Sequence, residues 1–135
     1  MWQRIQTVYL SLAVLANILL MSGLPIMTAT DSKVVYAKDD MLFFILILIS
    51  TIDAFLSIFL FKKRKLQVFI GRIAILTAMI AVVKMLYTFL TVQKTLAHVS
   101  NIGMWMPLVF IVLVALANKA ILRDEEKVRS ADRIR

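Results

Sequence analysis

Cysteine is absent from the 135 residues, histidine occurs once, and there are only two prolines and three glycines. Without cysteine there is neither a disulfide framework nor a thiolate metal site, and cysteine usage gives no signal about the redox compartment. Charge is scarce as well: 18% of residues are charged, and Asp and Glu number 8 against 16 Lys and Arg. No nucleotide-binding glycine loop, nucleophile elbow, zinc-ligand spacing or paired-carboxylate constellation occurs, so no enzymatic activity and no cofactor is expected. Internal repeats and low-complexity segments are also missing.

What fills the sequence instead is apolar. Hydrophobic residues make up 61% of it and the mean hydropathy is +0.89, well above soluble-domain usage. A membrane crossing needs about 20 apolar residues, and this length has room for about four. The expected architecture is therefore an all-α integral membrane four-helix bundle, up-down-up-down, filling residues 1–122 with spans near 5–24, 41–61, 66–92 and 102–122, followed by a charged helical tail, 123–135. The formal net charge of +8 would suggest nucleic acid in a soluble protein. Here the basic residues cluster beside spans, where they set orientation and attract anionic headgroups, and no nucleic-acid partner is expected.

The first span ends at Gly23 and Pro25, both helix-stop signals. Its apolar run is too long for a signal-peptide core, its start carries a single Arg4, and Met27-Thr28-Ala29-Thr30 is a poor cleavage site, so it is expected to be a retained anchor. Residues 25–40 form the longest connection, with Val34-Val35-Tyr36 as a short extended piece. The next connection, Lys62-Lys63-Arg64-Lys65, is purely basic and by the positive-inside rule cytoplasmic. Both termini then fall in the cytoplasm, in agreement with Arg123, Lys127, Arg129, Arg133 and Arg135 in the tail.

Three charges lie inside apolar runs: Asp53 in the second span, Arg72 and Lys84 in the third. At about 1.5 Å rise per residue, Asp53 lies roughly 13 Å and Arg72 roughly 10 Å from the basic turn, so depth lets them pair. An unpaired charge near the midplane costs about 2.5 to 3.5 kcal/mol on insertion scales. Lys84 lies much higher and is expected to meet Asp39, Asp40 or interfacial water. A proton or ion relay through Asp53 competes with the plainer role of fixing helix register. Transporters also show inverted repeats or broken spans, whereas Gly71, Gly103 and Pro107 all fall near span ends.

Each span carries small or polar residues on one face: Gln6, Ala13 and Asn17; Ser50, Asp53 and Ser57; Thr77, Ala81, Lys84, Thr88 and Thr91; Ala115 and Asn118. Such stripes let helices approach and hydrogen-bond, within this chain or to another. Met21, Met27, Met41, Met85, Met104 and Met106 gather toward the end away from the basic turn, and His98 is in the nearby loop. Thioether and imidazole suit copper(I), but Met104 and Met106 point about 200° apart on a helix and no Met-x-x-Met pair occurs there, so no metal site is expected. In the tail, Glu125 and Arg129 stand at i,i+4, Asp124 and Lys127 at i,i+3, spacings that support a solvated helix.

The opening MWQRIQTVYL, the four-span pattern and the closing LANKAILRDEEKVRSADRIR resemble a family of small bacterial membrane proteins, mainly from Bacteroidota, described as a domain of unknown function. The resemblance covers the whole chain and implies a four-span inner-membrane protein; it brings no activity, substrate or catalytic residues with it. The expected function is that of a structural or accessory subunit or scaffold. Lys62, Lys63, Arg64, Lys65, Arg123, Lys127, Arg129 and Arg133 would meet anionic headgroups, a protein partner or a second copy of the chain. The alternative is a small ion- or proton-coupled transporter using Asp53 and Lys84, with Asn17 and Asn118 among the buried polar candidates.

Overall fold

The computed structural model describes residues 3–29, 34–93 and 98–133. Four long helices dominate: α1 (Gln3–Ser22), α2 (Met41–Phe59), α3 (Arg64–Gln93) and α4 (Ile102–Asp132). Three short strands, β1 (Pro25–Ala29), β2 (Val34–Tyr36) and β3 (His98–Ser100), occupy the connections, and a 3-10 turn, Leu60–Lys62, leads from α2 toward α3. All four helices are long and apolar enough to cross a membrane. In hydrocarbon every backbone group must find its partner within the protein, and a helix achieves this inside one segment.

Helix ends follow local chemistry. α1 stops at Ser22 because Gly23 adopts φ +140°, a conformation that a Cβ would disfavour. α2 starts where the Asp40 carboxylate accepts the backbone N–H of Phe43 at 3.2 Å, capping one of the free amides of the first turn.

α1 packs against α2 and α4, and α3 packs against the same two. The side-chain contacts each join the early part of one helix to the late part of its neighbour: Gln6 to Asp124, Ser57 to the Gln67 carbonyl, Gly71 beside Asn118. One core cluster is built on alanines, Ala13, Ala54, Ala74, Ala78 and Ala117, filled in by Leu10, Val14, Phe110 and Val114. Small residues at crossings bring backbones close, which is how helices hold together where lipid removes the hydrophobic drive. A second cluster lies toward the strands and includes Leu20, Phe43, Ile47, Met27 and Met85, with Met21, Met104 and Met106 packed on it. Five of the six methionines gathered by the sequence pattern thus serve as packing residues.

Only 33% to 39% of each apolar window is buried. The rest turns residues such as Leu15, Phe55, Leu76 and Val112 outward. A soluble monomer rarely exposes contiguous apolar surface on that scale, so lipid is the medium that this surface suits.

At one end the helical bundle carries a sheet, of which only the extended Val34-Val35-Tyr36 is expected from the sequence. β1 is the centre of a three-stranded antiparallel sheet of order β2-β1-β3, with Thr28 opposite Val34 on one side and Val99 on the other. Val34-Val35-Tyr36 is extended as its β-branched residues suggest, and it pairs with β1, whose other edge pairs with β3 and ties the first connection to the third. Asn101 reinforces the tie: its side-chain amide donates to the Thr28 hydroxyl and its backbone N–H donates to the Ile26 carbonyl at 3.0 Å. Gly103 allows this closeness, since a Cβ there would meet the Pro25 carbonyl oxygen at 2.5 Å.

Candidate functional site

Polar groups between the helices fall into three layers. Nearest the sheet, the Lys84 ammonium of α3 pairs with the Asp40 carboxylate at the start of α2, at 2.5 Å, and also donates to Thr88 Oγ1 at 3.2 Å. This is the partner that its depth suggests; Asp39 instead accepts the backbone N–H of Tyr36. The hydrogen bond and charge of Lys84 hold the Asp40 carboxyl below its ordinary value of 3.8.

The middle layer joins α1 to α2. The Asn17 amide, fully buried, donates to Ser50 Oγ at 3.2 Å and Thr51 Oγ1 at 3.0 Å, and both hydroxyls donate onward to the Ile47 carbonyl. One turn along α2 from Ser50 lies Asp53, half-buried. Its Oδ2 is buried without a hydrogen-bond partner among the described residues, as is Asn17 Oδ1.

The expected Asp53–Arg72 pair does not form. Arg72 is exposed on the outside of the bundle, one residue beyond the buried Gly71 that faces Asn118. Successive helical residues are rotated by about 100°, so a side chain next to one that faces α4 is carried away from the interior. Depth permits the pair, and azimuth prevents it.

At the third layer, by the basic turn, the Gln6 amide of α1 donates to Asp124 Oδ2 of α4, both side chains buried. Asp124 is therefore part of the α1–α4 seam rather than of a solvated tail. Glu125 and Arg129 do not close an ion pair among the described residues. α4 nonetheless continues as a helix through Asp132, with Glu126 to Arg133 exposed. Arg135 lies outside the described residues.

Cavities open at this end among the described residues. One, of about 440 Å³, brings Lys62, Lys63, Arg64 and Lys65 of the turn beside Glu125 of α4. A second, of about 730 Å³, runs between α1 and α4 past Tyr9, Lys119, Arg123 and Lys127. A third, of about 530 Å³, lies between α3 and α4 and is lined by Arg72, Asn118, Lys119 and Arg123. Basic residues separated by more than fifty positions in the sequence thus share one end of the bundle.

A family described as "Domain of unknown function (DUF4293)" matches residues 2–134. The chain belongs to this family. No curated protein and no solved structure matches it. In this DUF4293 chain the sequence signals mark Asp53, Arg72, Lys84, Asn17 and Asn118, and the structure adds the pairing of Gln6 with Asp124 and the exposed Lys119. Lys119 gives little signal, being a lone base in the last two turns of an apolar run. Its register with Arg123, one turn on, is the pattern that would have exposed it.

Proposed function

We propose that the chain is a multi-pass protein of the bacterial inner membrane, up-down-up-down with both termini in the cytoplasm, acting as a non-enzymatic accessory subunit or scaffold. The observation that carries this reading is the convergence of the basic turn and the root of the α4 tail on one end of the bundle. α4 has 31 residues, a length of about 46 Å against a hydrocarbon core of about 30 Å, so its last turns project beyond the bilayer. The projecting part carries Lys127, Arg129 and Arg133 and an exposed Val128. A charged helix with one apolar stripe, standing on a basic platform, is suited to a partner's acidic or amphipathic surface, and the same cations suit anionic headgroups.

The test is a mild-detergent pull-down of the tagged protein from its native membrane, compared with a chain truncated after Glu125, which keeps the Gln6–Asp124 contact. The expected result is a stoichiometric protein partner that is retained by the full chain and lost on truncation. Retention unchanged by truncation, or no partner at all, would refute the tail's role.

A second reading, proton-coupled transport, is favoured by one observation: the Asp53 oxygen buried without a partner among the described residues. Lys84, the other member of that reading, is already engaged by Asp40. Proton flux in liposomes that stops on Asp53→Asn would favour transport, and flux indistinguishable from empty liposomes would remove it.

A further inference from the structure

The groove between α3 and α4 holds features that neither the tail nor the turn explains. Arg72 enters it from α3, while Lys119 and Arg123 enter from α4. Among the described residues none of the three makes a hydrogen bond or an ion pair. Glu126 is the single carboxylate in the lining. Three cations and one carboxylate leave the groove two positive charges in excess.

Behind them stands Asn118, 8% exposed, whose Oδ1 is buried without a partner and whose amide makes no hydrogen bond among the described residues. Gly71 lets it stand there, because any Cβ at that position would overlap its side chain. The wall toward the bilayer centre is apolar, Ile75 and Ala115, and Leu122 lies at the level of the cations. Lys119 lies one turn, about 6 Å, deeper than Arg123, and Arg72 lies about 12 Å along α3 from Arg64. The cations therefore sit at and just inside the membrane boundary, where long basic side chains reach toward phosphate.

We propose that this groove is a binding site for an anionic phospholipid of the leaflet at the basic-turn end, with phosphate held by Arg72, Lys119 and Arg123 and an acyl chain laid along Ile75 and Ala115. Guanidinium groups match phosphate oxygens with paired N–H donors, and the Asn118 amide supplies a further polar group behind them. The excess of two charges selects a lipid with two phosphates, such as diphosphatidylglycerol, over one with a single phosphate. A zwitterionic headgroup carries its own cation and loses this attraction. The inference needs only that the helices cross a bilayer, so it stands or falls separately from the accessory-subunit reading.

The test is native mass spectrometry of the delipidated full chain in detergent, titrated separately with diphosphatidylglycerol, phosphatidylglycerol and phosphatidylcholine. One molecule of diphosphatidylglycerol should be retained most strongly, phosphatidylglycerol less and phosphatidylcholine least. Each cation near the surface contributes about a fivefold factor, so Arg72→Gln/Lys119→Gln/Arg123→Gln should weaken retention on the order of a hundredfold. Ala115→Phe, at an exposed position, leaves every charge in place and fills the apolar wall; it should also weaken retention, which keeps the proposal testable if the triple variant misfolds.

Lys62→Gln/Lys63→Gln/Lys65→Gln should leave the tightly held lipid in place. Equal retention of all three lipids would overturn the site. So would loss of the lipid in the turn variant but not in the groove variants. Displacement of the lipid by low-millimolar inorganic phosphate would assign the cations to free phosphate and overturn the lipid.

Discussion

Asp40 has two tasks at once, capping α2 through Phe43 and neutralising Lys84. Substitution can separate them. Asn caps a helix about as well as Asp, so Asp40→Asn removes the charge and keeps the cap, at an expected cost of about 1 kcal/mol; Asp40→Ala should cost about 1 kcal/mol more. The pH dependence has a definite sign. The folded-state pKa of Asp40 is lowered from 3.8, so its contribution is complete above the unfolded value and disappears as pH falls through the folded one. In detergent unfolding, the gap between the native protein and Asp40→Asn should be full at about pH 6 and shrink below 3.8. A gap that widened on acidification would contradict the pair. Asp53 behaves oppositely, for it has no partner to lose among the described residues: Asp53→Asn should change stability by less than about 0.5 kcal/mol or raise it, since burying an amide costs less than burying a carboxylate. A loss above about 1 kcal/mol in the same assay would show that a partner exists after all.

Among the elements, α4 is the one most constrained at its start. Gly103 lies against the backbone of β1, which cannot move aside without opening the sheet. Gly103→Ala gains at most about 1 kcal/mol of helix propensity and is expected to lose more to the clash, a net cost of about 1 to 3 kcal/mol by chemical unfolding. Gly71→Ala meets the Asn118 side chain instead, which can turn toward the open groove, and should stay within about 1 kcal/mol of the parent.

The helices themselves were legible in the apolar runs, because a span requires length and composition and little else. The sheet was not: strands of three to five residues show no usable periodicity, and β1 finds β3 across about seventy residues of intervening chain. Charge pairing was legible only in part. Near a helix end Lys84 has few acids at its height, so rise alone picks out the aspartates there. In mid-bundle the rise placed Asp53 and Arg72 level but could not say that Gly71, one residue before Arg72, already faces α4.

For the whole molecule, the lack of cysteine makes the orientation in the bilayer simple to measure. Single cysteines at exposed Lys38 and Lys63 lie at opposite ends of the bundle. In intact cells an impermeant maleimide is expected to label Lys38→Cys directly and Lys63→Cys only after the membrane is opened. Reversed labelling would place the basic turn outside and remove the cytoplasmic docking proposal with it.

The sheet also fixes how the molecule can move. Because β1 is paired on both sides, separating the α1–α2 hairpin from the α3–α4 hairpin at that end means breaking a backbone ladder. At the other end the chain itself joins α2 to α3 through the turn Leu60–Lys62, while α1 and α4 are held there by the side-chain contact of Gln6 with Asp124. The seam between α1 and α4 is thus hinged like a clothes-peg. Its jaws are the start of α1 and the root of α4, and whatever enters the cavity between them works with the full leverage of the spans.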